Sequence, residues 1–153
     1  MSLVRILVDG YSLLHSWPEL APREPRHSAA ARDELVHVLR LYSDAAGTPV
    51  TVVFDGGGHR GVRQDTDSTP QVEILFSKAG QTADQIIERL AGTYGRAHDL
   101  TVATDDLLEQ QTAAAFGAYP LSTAGLRDLL SDAQTGFTRT LQTHRKRAPG
   151  SSA

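Results

Sequence analysis

The chain contains no cysteine, which excludes disulfides and thiolate metal sites. That absence fits a reducing compartment. No apolar run approaches the ~18 residues needed to cross a bilayer. Met1-Ser2-Leu3-Val4-Arg5 lacks the basic start, apolar stretch and small-residue cleavage site of a secretory signal. A cytoplasmic protein with no membrane association is therefore expected. There is also no excess of positive charge. The formal net charge of −3 counts against a protein that coats nucleic acid by neutralising phosphates. It does not count against an enzyme that cuts nucleic acid, because acidic metal ligands lower the net charge while a local basic patch holds the substrate.

Two nucleotide-binding signatures are missing as well. No G-x-x-x-x-G-K-[ST] loop occurs, and no G-x-G-x-x-G follows a strand, so no nucleotide cofactor is expected. Asp9-Gly10-Tyr11 lacks the second aspartate of a haloacid-dehalogenase phosphatase loop. Gly56-Gly57-Gly58 has no helix behind it. A phosphatase or nucleotide-binding enzyme of another α/β family is thus the weakest reading. His15, His27, His37, His59, His98 and His144 show no paired metal-ligand spacing.

What is present is ordinary globular composition, 40% hydrophobic and 22% charged over 153 residues, enough for one domain with a sizeable core. Leu3–Val8 and Val50–Phe54 read as buried strands, Val72–Phe76 as an alternating strand and Leu100–Ala103 as a fourth. Gly117–Leu121 reads as a short fifth strand, placed at an edge because Pro120 cannot donate to a ladder. Ser28 caps a helix to about Ala46, with Leu35, Val38, Leu39 and Tyr42 on one face and Gly47 and Pro49 as the stop. Thr82-Ala83-Asp84-Gln85 has capping-box spacing ahead of an apolar face containing Ile86, Ile87 and Leu90. Further helices are expected over about 106–116 and from Ser122 to about Leu141. The long Gly-rich stretch after Phe54 has no helical period. Residues 1–143 make the domain, and 144–153 read as a disordered basic tail. Strands alternating with helices argue for an α/β fold with a mainly parallel sheet.

Asp9, Asp55 and Asp105 each follow the end of a buried strand, and Asp84 opens the helix after the third strand. In a parallel sheet all four belong to the carboxyl edge, where such folds place their ligands. In the strand order 3-2-1-4, Asp9 and Asp105 come from neighbours ~5 Å apart. Close carboxylates need a cation or a shared proton, and an all-oxygen set suits Mg2+ or Mn2+. Such an ion lowers the pKa of a water and positions its attack on phosphorus. Each residue also has a plainer role. Asp9-Gly10 is a common turn pair, Asp84 suits a helix's first turn, and either Asp105 or Asp106 serves as an N-cap. Glu73 and Glu109 read as solvated or structural. Arg60 and Arg63 in the Gly-rich loop are candidate phosphate contacts. Tyr11 is a candidate for stacking on a base, whereas Trp17 is assigned to the core.

Val8-Asp9-Gly10-Tyr11, Val52-Val53-Phe54-Asp55, Val72-Glu73-Ile74-Leu75-Phe76-Ser77-Lys78, Thr82-Ala83-Asp84, Ala103-Thr104-Asp105, Glu109-Gln110 and Gly117-Ala118 occur in this order. Together they resemble the YacP-like NYN domains, a bacterial branch of the PIN-like nucleases, from about Leu3 to Leu130. The resemblance implies a PIN-like three-layer α/β/α sandwich with about five strands, a divalent metal site and endonucleolytic cleavage of RNA, with the ribosome as a candidate partner. By motif, Asp9, Asp84 and Asp105 carry over as metal-binding or catalytic residues, with Asp55 as a further ligand. Ser12 stands where the family reads asparagine, and it and Asp106 are supporting residues. Pro120 and Ala124 stand where the family tends to carry arginine. These departures motivate an alternative, a non-catalytic RNA- or ribosome-binding module with a degenerate nuclease site.

Overall fold

The structure, a computed structural model, describes residues 5–54, 63–64, 68–77, 83–94 and 100–147. The chain runs β1 (Arg5–Asp9), α1 (Gly10–Ser16), α2 (Ala29–Ala46), β2 (Val50–Phe54), β3 (Arg63–Gln64), β4 (Val72–Phe76), α3 (Ala83–Tyr94), β5 (Leu100–Ala103), α4 (Leu107–Ala115), β6 (Tyr119–Leu121) and α5 (Thr123–Arg147). The sheet order is β3-β4-β2-β1-β5-β6. Five strands, β4, β2, β1, β5 and β6, are parallel, and the two-residue β3 pairs antiparallel with β4. This is the expected PIN-like α/β/α sandwich, and β1 lies at its centre.

Successive strand residues point to opposite faces, so β1 serves two cores. Ile6 and Val8 join the apolar faces of α1, α2 and α5 through Leu13, Leu14, Leu35, Leu39, Leu126 and Leu130. Leu7 faces the other way, against Ile86 and Ile87 of α3, Val53, Val102 and Ala113 of α4. Every residue of β2 is buried, as expected of an interior parallel strand, whereas β4 alternates. No described helix is long and apolar enough to cross a membrane.

The capping expected for α2 is present. Ser28 Oγ accepts from the Ala31 N–H at 3.1 Å, and Gly47 closes the helix at φ +72°. β6 is an edge strand, as expected, with Pro120 opposite Val102. Three features differ from expectation. The stretch after β2 contains β3, whose pairing partner lies in β4. The seven-residue α1 follows β1 directly, where the sequence reads as a turn. And α5 continues to Arg147, through His144–Arg147 and beyond the expected end near Leu141. Beyond Leu141 no glycine or proline occurs until Pro149, the first residue that disfavours a helical predecessor. Thr82, the expected cap of α3, lies outside the described residues.

The segment between α1 and α2 is short of regular structure, so its carbonyls need other donors. Arg26 supplies them. Its guanidinium donates to the carbonyls of Leu14, Trp17, Leu20, Ala21 and Glu24. Trp17, 7% exposed, is packed in the core as expected. Arg26→Ala is expected to lower unfolding free energy by about 2 kcal/mol, because several carbonyls lose a charged donor while remaining partly open to water. Urea denaturation monitored through the single tryptophan checks this, and an unchanged midpoint would remove Arg26 from the clamp role.

Candidate active site at the carboxyl edge of the sheet

Five parallel strands present their carboxyl ends on one edge. β1 ends at Asp9, in register with Val53 of β2. On its other side Val8 is opposite Ala103, the last residue of β5, and Thr104-Asp105-Asp106 follow. Asp9 and Asp105 therefore leave from adjacent central strands, as the 3-2-1-4 order requires. Asp84 is the second residue of α3. That helix is the crossover between parallel β4 and β5 and runs back along the sheet, so its first turn starts on the carboxyl side.

The two described carboxylates are held differently. Asp9 is half-buried, has extended backbone angles and caps α1, its Oδ1 accepting from the Ser12 N–H at 3.3 Å. Ser12 thus supports Asp9 through its main chain. Asp105 is exposed, and both its oxygens accept from one residue, the first of α5: Oδ1 from the Thr123 N–H at 2.9 Å and Oδ2 from the Thr123 hydroxyl. Thr123 itself is 1% exposed. Asp106 is the N-cap of α4, accepting from the Glu109 N–H at 3.1 Å. Of the pair Asp105 and Asp106, it is the one that caps the helix beginning there. Its own N–H donates to Thr104 Oγ1, and the Thr104 carbonyl accepts from Gln110 at 2.7 Å. The acidic turn is thereby fastened to α4 and α5.

Thr123→Val removes the hydroxyl donor and keeps the N–H. It is expected to cost about 1 kcal/mol, the usual worth of one hydrogen bond at a partly exposed carboxylate. Thr123→Ser should restore the loss in thermal unfolding. A valine variant as stable as the native chain would show the hydroxyl contact to be idle.

Other expected residues fall elsewhere. Tyr11 is not available to stack on a base. It is 8% exposed, with its ring centroid 4.2 Å from that of His27 and 5.1 Å from that of Phe54. Its hydroxyl accepts from Arg32 Nη1 at 3.1 Å. The reason is α1, which turns Tyr11 back under the segment ahead of α2. Glu73 is structural: its Oε1 accepts from Thr51 Oγ1 at 3.1 Å, within the sheet. Glu109, 3% exposed, is a buried carboxylate in the first turn of α4, not a solvated one. Asp55 and Arg60 lie outside the described residues. Arg63 sits in β3 opposite Phe76, the last residue of β4.

Sequence reasoning missed Arg32 and Thr123. Arg32 donates to Tyr11 and to the His27 carbonyl, and its guanidinium lies 5.6 Å from the Phe76 ring centroid. It places a half-buried cation near the ends of β2 and β4. Neither residue has a local motif, because each acts on a partner 18 or more positions away.

The donor chemistry at this edge is carboxylate oxygen, which fits a hard divalent cation. Among the described residues no three histidine or acidic side chains converge on one point. The described contribution is Asp9 and Asp105.

Comparison with known proteins adds to this geometry. The YacP-like NYN domain family matches residues 6–152. The uncharacterized protein YacP of Bacillus subtilis is 34% identical over 131 residues, which cover 85% of this chain and 75% of that protein. The crystal structure of Rae1 (YacP) from Bacillus subtilis superposes with a TM-score of 0.78 at 28% identity, covering 99% of this chain and 86% of that one. A mutant form of the same protein gives 0.79 at 31% identity, covering 95% and 85%. Fold and sequence agree, and the chain belongs to the YacP-like NYN domain family.

Proposed function

We propose that this protein is a metal-dependent endoribonuclease acting at the carboxyl edge of its sheet. The observation that carries the reading is that Asp9 ends β1 and Asp105 follows the adjacent parallel β5, with Asp84 in the first turn of the crossover helix. Membership of a nuclease-type family supports it. Asp9, Asp84 and Asp105, with Asp55, would hold Mg2+ or Mn2+, which supplies Lewis-acid activation of a water and of the phosphodiester. The chain's own residues then have defined tasks. The Ser12 N–H fixes the Asp9 carboxylate, and Thr123 fixes Asp105. Arg32, with Arg63 of β3 and with Arg60, would supply positive charge for RNA phosphates.

Incubation of the purified protein with single-stranded RNA and with translating ribosomes tests this. Internal cuts should appear with Mg2+ or Mn2+, vanish with chelator and return when Mn2+ is added back. Cutting that survives chelation removes the metal, and no cutting of any RNA removes the nuclease. One observation favours binding without turnover: both oxygens of Asp105 already accept from Thr123. RNA binding with no Mn2+ uptake at millimolar concentration would select that reading.

A further inference from the structure

His15 lies in the last turn of α1 and His27 just before α2, twelve positions apart, with five prolines or acidic residues among those between that obscure any motif. The fold brings their Nε2 atoms to 3.1 Å, with ring centroids 5.0 Å apart in an edge-on arrangement. Two imidazole nitrogens approach this closely only when something electrophilic lies between their lone pairs, either one proton or a metal ion. With metal–nitrogen bonds of ~2.0–2.1 Å, the observed 3.1 Å separation corresponds to an N–metal–N angle of about 100°, near tetrahedral.

The pair is held in place from both sides. The His27 ring packs on Tyr11 at 4.2 Å, and the Arg32 Nη1 that holds the Tyr11 hydroxyl also holds the His27 carbonyl at 2.8 Å. The end of α1 that carries His15 is tied by Arg26 to the Leu14 carbonyl and by Arg127 to the Ser16 carbonyl at 2.7 Å. Both imidazoles are exposed, so an ion enters from solvent without opening the core. Preorganisation of this kind reduces the ordering cost of binding. The donors are nitrogen alone, which disfavours Mg2+, an ion that needs oxygen ligands, and leaves the imidazole-preferring ions.

We propose that His15 and His27 form a binding site for a divalent transition ion of the zinc and nickel class, with water in its remaining coordination positions. No third histidine or acidic side chain among the described residues joins them. This site is separate in chemistry from the carboxylate edge and does not depend on the nuclease reading.

Zinc titration of the full chain, followed by calorimetry and by NMR of the histidine side-chain nitrogens, tests it. Zinc should shift the His15 and His27 Nε2 resonances together, with saturation at one ion per histidine pair. His15→Ala and His27→Ala should each weaken binding by at least about tenfold, since each removes one of two protein ligands. His37→Ala, an exposed histidine of α2 outside the pair, should leave these shifts unchanged. Absence of binding at millimolar zinc, or unchanged affinity in the histidine variants, overturns the proposal. Zinc uptake that leaves the His15 and His27 resonances unmoved also overturns it, by assigning the ion to other groups. His27→Ala disturbs the packing on Tyr11. If it fails to fold, His15→Ala, at the exposed end of α1, decides the matter alone.

Discussion

Asp9→Asn is expected to reduce RNA cleavage by about 10²–10⁴-fold while leaving the melting temperature within about 2 °C of the native value. The separation follows from the two tasks of one side chain. As the N-cap of α1, Asp9 presents Oδ1 to the Ser12 N–H, and asparagine keeps a carbonyl oxygen there with equal capping preference. As a candidate metal ligand at the end of the central strand, it supplies a negative charge that asparagine lacks. Cleavage of a labelled RNA at saturating Mn2+, read beside a thermal melt, checks both halves. Retention of cleavage within a few-fold would remove Asp9 from the reaction. A collapse in melting temperature would show that the charge serves the fold.

Gly10→Ala is expected to destabilise the protein by about 3 kcal/mol, at the upper end of overpacking penalties. A Cβ at position 10 would lie 2.9 Å from Phe54 Cζ and closer still to Cδ1 and Cε1. Phe54 cannot retreat easily. It is 1% exposed, with Tyr11 at 5.1 Å and Phe76 at 5.6 Å between ring centroids. Relief must come from moving the start of α1, and Asp9 with it, so cleavage should fall together with stability. Chemical denaturation measures the first effect. A variant within 0.5 kcal/mol of native, about the range of neutral surface changes, would mean that the β1–α1 junction yields without strain.

Gly10 also shows how far the sequence could be read. Asp9-Gly10 after an apolar strand reads as a turn because glycine is permissive of unusual backbone angles. Here glycine is helical, has no positive φ and is needed for the absence of a side chain beside an aromatic ring 44 positions away. That is why α1 was missed: seven residues are too few for a helical period to stand out. Elements with local signals were legible. Ser28 and Gly47 delimit α2, Asp106 starts α4, and the apolar strands fall where their runs predict. The carboxylate edge was legible for the same reason, since strand ends and parallel order follow from the alternation of elements. What stayed hidden depends on distant pairs. Thr123 reaches Asp105, Arg32 reaches Tyr11 and His27 meets His15, and no spacing rule foretells any of them.

The central position of β1 bears on how the molecule assembles. Ile6 is bonded into the sheet beside Val50 on one side and Thr101 on the other. β1 therefore gains its second neighbour only after Thr101, 95 positions beyond Ile6, has been made. Pairing so remote in sequence is closed against a large loop entropy and sets in slowly. Until β5 arrives, one edge of β1 offers its unpaired N–H and C=O groups to other chains. Slow refolding, and a tendency of chains cut short of Leu100 to aggregate, are consequences of strand order alone.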